Sequence, residues 1–351
     1  MRTHMRTHIR TIIAVLATLA TLPSVAAAQS QSITTEANLT SGYSSDGDVS
    51  AVAAQLRLFG ETESQIRFNA EGTWADRSSD HTDAFGAAYP YGGRFHLSEV
   101  YAERMFQHGS GFMGVRVGQY RSPFGISSRS DHAYSGFLRA PLIRYDDYWA
   151  ITNNFLERGV DLIAGTPRLS VEASVGAPGD IGVARRRSGV EDVVRAQAYL
   201  GSVIVGVSHL NSRPYRSPAE APGRMNFSGV DARWTLDGIQ LRGEWMFGHP
   251  WSGTKANGWY ADAIVHRSSM GPVTAVFRTE GLDFKSPTPF TWMEMTCLDQ
   301  WRGMRQTAGA RVRLPGGFTA QVDLVRQFDE LAVDGSRTAL DVGLTYSLRR
   351  D

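Results

Sequence analysis

The side chains that could do chemistry are mostly charged and recur at every second position. Arg57, Arg67, Glu71, Arg116, Arg195, Asp231, Arg233, Arg242 and Glu244 sit on the polar parity of alternating segments, as do Asp161, Glu172, Asp262, Arg278, Arg311, Asp323 and Asp341. A second group crowds one long connection: Arg121, Arg129, Asp131, Arg139, Arg144, Asp146 and Asp147, among Tyr134, Tyr145, Tyr148 and Trp149. Such groups order water, hold counter-ions and set fields across a space; they do not by themselves break bonds. The positive charge is almost entirely arginine. Only Lys255 and Lys285 are lysines among 36 basic residues, a bias that suits guanidinium pairing in a partly dehydrated lining.

Covalent chemistry finds no support. His266 and Ser268 are close in sequence but lack a surrounding nucleophile motif. Histidines such as His96, His108, His132, His209 and His249 show no metal-ligand spacing. Gly316-Gly317 precedes no helix that could cradle phosphate. No catalytic residue, metal or cofactor is expected, and a net charge of +1 gives no reason to expect nucleic acid.

The elements that carry these charges are strands. Val230, Ala232, Trp234 and Leu236 share one parity, opposite Asp231, Arg233 and Thr235. After Asp237-Gly238, a hairpin pair, Ile239, Leu241, Gly243, Trp245 and Phe247 continue the apolar face. Successive strand side chains point to opposite faces, so each segment is greasy on one side and polar on the other. About sixteen such segments are predicted, near 32–43, 50–60, 64–75, 94–106, 111–120, 157–165, 168–176, 192–200, 203–210, 226–236, 239–247, 258–267, 272–280, 303–314, 317–326 and 337–348. The segment at 94–106 alternates badly, which predicts a bulge or inward acids with Val100 and Ala102 facing out.

Short connections alternate with mostly long ones. A soluble sandwich has no reason to sort its loops by parity; a membrane barrel does, with short turns at one rim and long loops at the other. Sixteen strands enclose a lumen wide enough for water. Trp74, Trp234, Trp245, Phe247, Trp259 and Tyr346 lie near strand ends on the apolar parity, as interfacial girdles require. The expected fold is therefore all-β, a transmembrane antiparallel barrel whose apolar side meets lipid. Cys297 is the single cysteine, so no internal disulfide is available.

Residues 1–28 read as a cleaved export leader: Arg2, Arg6 and Arg10, a short apolar run from Thr11 to Leu22, then Ala26-Ala27-Ala28. The barrel domain is expected over 29–351.

Val115-Arg116-Val117-Gly118-Gln119-Tyr120-Arg121-Ser122-Pro123-Phe124-Gly125 resembles the strand-to-loop segment of phosphate-selective porins of the O/P type, and Glu157-Arg158-Gly159-Val160-Asp161-Leu162 resembles their returning strand. The last strand, Leu340 to Leu348, resembles the closing strand of outer-membrane barrels, although Arg349-Arg350-Asp351 replaces a terminal aromatic. The resemblance implies a sixteen-stranded, often trimeric channel for small solutes in the bacterial outer membrane. It does not carry anion selectivity, because the lysine clusters of that family are missing. The expectation is passive diffusion of small hydrophilic solutes or ions, with the loop from Arg121 to Leu156 as a constriction. The rivals are a plugged outer-membrane scaffold or adhesin, and a soluble exported β protein.

Overall fold

Alternating segments pair because each strand leaves a row of backbone donors and acceptors that only another strand can satisfy in register. In a computed structural model, residues 30–78, 95–126, 136–144, 156–178, 189–212, 225–249, 255–285, 290–292, 295–297, 300–329 and 335–350 are described. Their strands are β1 Ser30–Ser44, β2 Val49–Thr62, β3 Ile66–Arg77, β4 His96–His108, β5 Gly111–Arg121, β6 Leu156–Gly165, β7 Leu169–Pro178, β8 Glu191–Leu200, β9 Val203–Ser212, β10 Met225–Leu236, β11 Ile239–His249, β12 Lys255–Val265, β13 Val273–Lys285, β14 Phe290–Trp292, β15 Met295–Cys297, β16 Gln300–Arg313, β17 Phe318–Asp329 and β18 Ser336–Arg350. All but β14 and β15 form one closed antiparallel barrel of sixteen strands. The first and last strands close it, with Ala37 opposite Leu348 and Leu39 opposite Tyr346. Closure removes every sheet edge, which is what a spanning sheet needs where no water can satisfy its backbone.

The barrel is inside out compared with a soluble one. On β17, Leu324 is 53% exposed on the outer face while its neighbour Asp323 is 1% exposed on the inner face. Val230, Trp234, Trp245, Phe247, Trp259, Phe277, Val322, Leu340, Val342 and Leu344 all face outward and are exposed. Asp231, Arg242, Glu244, Asp262, Arg278 and Asp341 face inward and are buried. Trp245 lies directly opposite Trp259. At the short-turn rim, Phe318 meets Tyr346 with ring centroids 4.9 Å apart. Phe318 and Phe328 share the outer parity of β17. Ten residues at ~3.3 Å each, tilted by about 40°, separate them by roughly 25 Å across the membrane, the height of the apolar band of an outer-membrane barrel.

The poor alternation of β4 has a structural cause. Glu71 pairs with Glu99, but the next residue, Gly72, pairs with Leu97, so Ser98 is an extra inward residue. Its hydroxyl donates to a Glu71 carboxylate oxygen at 2.6 Å. This bulge switches the outward parity from Phe95 and Leu97 to Val100, Ala102 and Phe106. Both sequence expectations, the bulge and the outward Val100 and Ala102, hold together. The first connection at the long-loop rim is a tight turn, possible because Gly47 and Asp48 take φ of 71° and 57°. The small hairpin β14–β15 was not foreseen, since two three-residue strands carry no readable period.

Candidate functional site: the lumen wall and the loop after β5

The described parts of the connection between β5 and β6 turn inward and lie on the barrel wall. Phe124, Phe137, Leu138, Leu142 and Ile143 are essentially inaccessible. Backbone amides of the loop donate to wall side chains around much of the circumference. Gly125 N–H reaches Ser208 Oγ at 3.1 Å and Ile126 N–H reaches Glu244 Oε2 at 3.2 Å. Leu138 N–H reaches Asp323 Oδ2 at 3.2 Å and Leu142 N–H reaches Glu280 Oε2 at 2.6 Å. In return, Arg278 Nη1 donates to the Arg139 carbonyl at 3.0 Å, Gln321 to the Gly136 carbonyl at 3.1 Å, and Arg305 to the Ala140 carbonyl. Loop backbone buried without partners would cost about 1–3 kcal/mol per group, so this wall is built to receive it.

Apolar seats complete the dock. Phe124, Leu142 and Ile143 pack with Val193, Leu210, Phe227, Met246, Tyr260 and Leu282, inward residues of β8 to β13. Leu138 packs on Ala51, Ala53 and Ala75. Phe137 lies against Arg278, whose guanidinium carbon is 4.0 Å from the ring centroid. Gly258 makes room for Ile143: a Cβ there would fall 2.3 Å from its Cγ2. Gly258→Val should therefore loosen the loop by about 1–3 kcal/mol through overpacking. Limited proteolysis of the loop in folded protein checks this, and an unchanged cleavage rate contradicts it.

Arg139 is the electrostatic anchor. Its Nε and Nη2 grip Asp341 at 2.6 and 3.0 Å, Nη1 reaches Asp46 at 3.0 Å, and Nη2 donates to Ser44 Oγ at 3.2 Å. Burial alone would lower its pKa, but the hydrogen bond to Asp341 and the charges of Asp341 and Asp46 hold it above the ordinary arginine value. The side chain therefore stays cationic at any working pH.

The expected wall charges form buried pairs. Arg116 bonds Glu103 at 2.6 Å and Asp161 at 2.9 Å, with Glu172 at 3.6 Å. Arg121 bonds Glu71 at 2.7 Å. Arg195 bonds Asp231 at 2.9 Å. Asp262 bridges Arg242 at 2.8 Å and Arg278 at 2.7 Å. Glu244 also accepts from Tyr260 Oη at 3.2 Å. Register sets Arg233 opposite Arg242 and Asp231 opposite Glu244, so relief of like charge comes from the strands on either side. Arg57 and Arg67 are the more open members, with side chains 37% and 57% exposed; Arg57 donates to Asn69 at 2.7 Å and Arg67 to Glu61 at 3.4 Å.

Of the loop residues singled out from sequence, Arg121 and Arg139 are brought to the wall, and Arg144 ends a short 3-10 turn, Leu142–Arg144. Arg129, Asp131, Asp146 and Asp147 lie outside the described residues. Sequence reasoning missed Glu280 and Arg305, which bond each other at 2.7 Å beneath the loop. Their signal was available: Glu280 shares the parity of Arg278, and Arg305 that of Arg311.

No protein-family model and no curated protein matches the chain. Solved structures do match, across the whole barrel. OprB of Pseudomonas putida, in its high-pH structure, is 10% identical, with 91% of this chain and 93% of that one covered at a TM-score of 0.64. OmpF of Salmonella typhi, solved in complex with daunomycin, is 12% identical over 90% and 97% of the two chains, at 0.60. A porin refined at 1.8 Å resolution is 15% identical over 90% and 100%, at 0.51. At such identities the likeness is one of fold. The fold is that of the bacterial outer-membrane porins, and with its apolar outer belt the barrel belongs to the outer membrane.

Proposed function

We propose that the chain forms a water-filled channel through which small hydrophilic solutes or ions diffuse passively, with the loop between β5 and β6 as its constriction. The observation that supports this most is the loop itself. Its described parts lie on the inner wall and are held there by side chains from β1, β9, β11, β13, β16, β17 and β18. A loop so held narrows the passage to whatever the opposite wall leaves open. The two signs nearly balance among the wall arginines and carboxylates, which suits a general channel better than a single-sign filter. No step in this reading needs a catalytic group or cofactor.

The mature chain would begin after the leader at residues 1–28, and the assembly would be a homotrimer surrounded by outer-membrane lipid. Kinship with the phosphate-selective O/P type rests on the two resembling segments. They are register partners in the barrel, Gly118 opposite Gly159 and Arg116 opposite Asp161, which lends the resemblance structural sense without implying phosphate selectivity. One observation favours the rival, a plugged scaffold: Glu280, Arg305 and Asp341 have no exposure at all. Deleting residues 128–148 separates the two. A constricted pore should gain single-channel conductance severalfold and admit larger sugars in liposome swelling. Unchanged conductance would remove the loop from its role.

A further inference from the structure

One inner-wall arginine takes no part in the pairing that holds its neighbours. Arg195, Arg242, Arg278 and Arg305 each bond a wall carboxylate, at 2.9, 2.8, 2.7 and 2.7 Å. Arg311 on β16 lies on the same inner face and makes no hydrogen bond or ion pair among the described residues. Its register partners supply none: Thr274 on β13 and Gln321 on β17 are both uncharged. Of the charges that act on it, Asp323 has the opposite sign, while Arg242 and Arg313 add to its own. Both carboxylate oxygens of Asp323 are engaged elsewhere, by Gln321 Nε2 at 3.0 and 2.8 Å and by the Leu138 amide at 3.2 Å. Arg311 Nε is buried and has no partner. A buried donor so placed is uncommon in a native fold and calls for an acceptor.

The same side chain stands against the docked loop. Gly136 is held there through its carbonyl, which accepts from Gln321 at 3.1 Å. The point a Gly136 Cβ would occupy is 3.4 Å from Arg311 Nη1 and 3.4 Å from Ile264 Cδ1. Loop, guanidinium and an aliphatic side chain of β12 thus meet at one spot. Arg311 and Ile264 are both half-buried, so each keeps part of its surface open. A cation with donors to spare, beside hydrocarbon, is complementary to an oxyanion that carries a short apolar tail. A guanidinium meets a carboxylate with two parallel hydrogen bonds. Ile264 offers the tail a surface away from water. Few polar groups and an apolar neighbour are the usual makings of a small-molecule site.

We infer that Arg311 and Ile264 form a binding step for small organic acids beside the loop, with the carboxylate on the guanidinium and the hydrocarbon on Ile264. The inference rests on the channel reading and deepens it: the wall as a whole carries both signs, and this one spot selects. Inorganic phosphate offers the oxyanion without the tail. A primary amide offers the tail without the charge. Those two probes separate the parts.

The test is saturation-transfer NMR on the full mature barrel in detergent micelles with butyrate, butyramide or inorganic phosphate. Wild type should bind butyrate at least fivefold more tightly than either of the others. Arg311→Gln should lower butyrate affinity at least fivefold, and heat-modifiable folding should be kept because the guanidinium has no wall partner to lose. Arg311→Lys keeps the charge without the planar fork, so its affinity should lie between the two. Ile264→Ser should bring butyrate down toward the level of phosphate. Equal binding of butyrate and butyramide overturns the inference, as does a butyrate affinity that survives Arg311→Gln. Phosphate held as tightly as butyrate removes Ile264 from the site and with it the assignment to organic acids. Butyrate added during single-channel recording should also interrupt the wild-type current. A barrel that binds butyrate through Arg311 yet conducts nothing would defeat the channel reading and leave the site standing; one that conducts and binds no butyrate would do the reverse.

Discussion

Replacing Arg139 with alanine should release the loop after β5 and raise single-channel conductance, with added current noise. The guanidinium makes a two-pronged contact with Asp341, at 2.6 and 3.0 Å, and a further one with Asp46 at 3.0 Å. Asp341 is fully buried, and Ser44 donates to it at 2.6 Å. Taking away one partner of a buried pair leaves a carboxylate without its counter-charge, at a cost of about 3–5 kcal/mol. The barrel need not unfold to escape that cost, because the loop can lift and let water reach Asp341. The damage should therefore fall on loop docking rather than on strand pairing. Arg139→Lys keeps the charge but loses the planar fork, so its conductance should lie between the two. Electrical recording with loop proteolysis on the same samples reads both consequences. An alanine variant with wild-type conductance and wild-type protection would show that the apolar seats hold the loop unaided.

Leu324→Arg should cost about 2–4 kcal/mol of folding stability in lipid, measured by urea unfolding in vesicles. Leu324 lies near the middle of the outer band on β17, opposite Leu340 on β18, and both are exposed. On a soluble protein an exposed leucine can take an arginine for within about 0.5 kcal/mol. In hydrocarbon the same guanidinium has no water to meet and is too far from either rim to reach it cheaply. The change thus reports what the outer face touches. A variant as stable as wild type would mean that water, not lipid, covers β17.

Much of this architecture is legible in the chain because a strand obeys a period of two and a membrane barrel exposes it strand after strand. The hairpin of β10 and β11 shows how directly: Asp237-Gly238 marks the turn, and the parity on either side separates Trp234 and Trp245 from Asp231 and Glu244. All sixteen barrel strands fall where alternation and loop length predict them, and the disturbed period of 94–106 marks the bulge at Ser98. The alternation says that two faces differ. The choice of lipid for the apolar one comes from strand number and loop sorting.

The dock was harder to read, for two physical reasons. Arg139 and Asp341 are joined across 202 positions, and no local pattern encodes a partner that far away. The apolar seats hide inside a polar parity. Met246 faces inward between the outward Trp245 and Phe247, and Val193 beside Val194 does the same. Runs of consecutive apolar residues at strand ends near the long-loop rim were the available sign. They depart from alternation where something other than water must touch the inner wall. Glu280 and Arg305 share the polar parity of Arg278 and Arg311, but nothing local in the sequence pairs them with each other or with the loop above them.

Reconstitution of the wild-type mature protein into a planar lipid bilayer is the most direct trial of an interior that holds water and an exterior that holds lipid. Discrete conductance steps that grow with salt concentration are expected. Folded, heat-modifiable protein that inserts and yet passes no current would leave the barrel in the membrane and take away its pore.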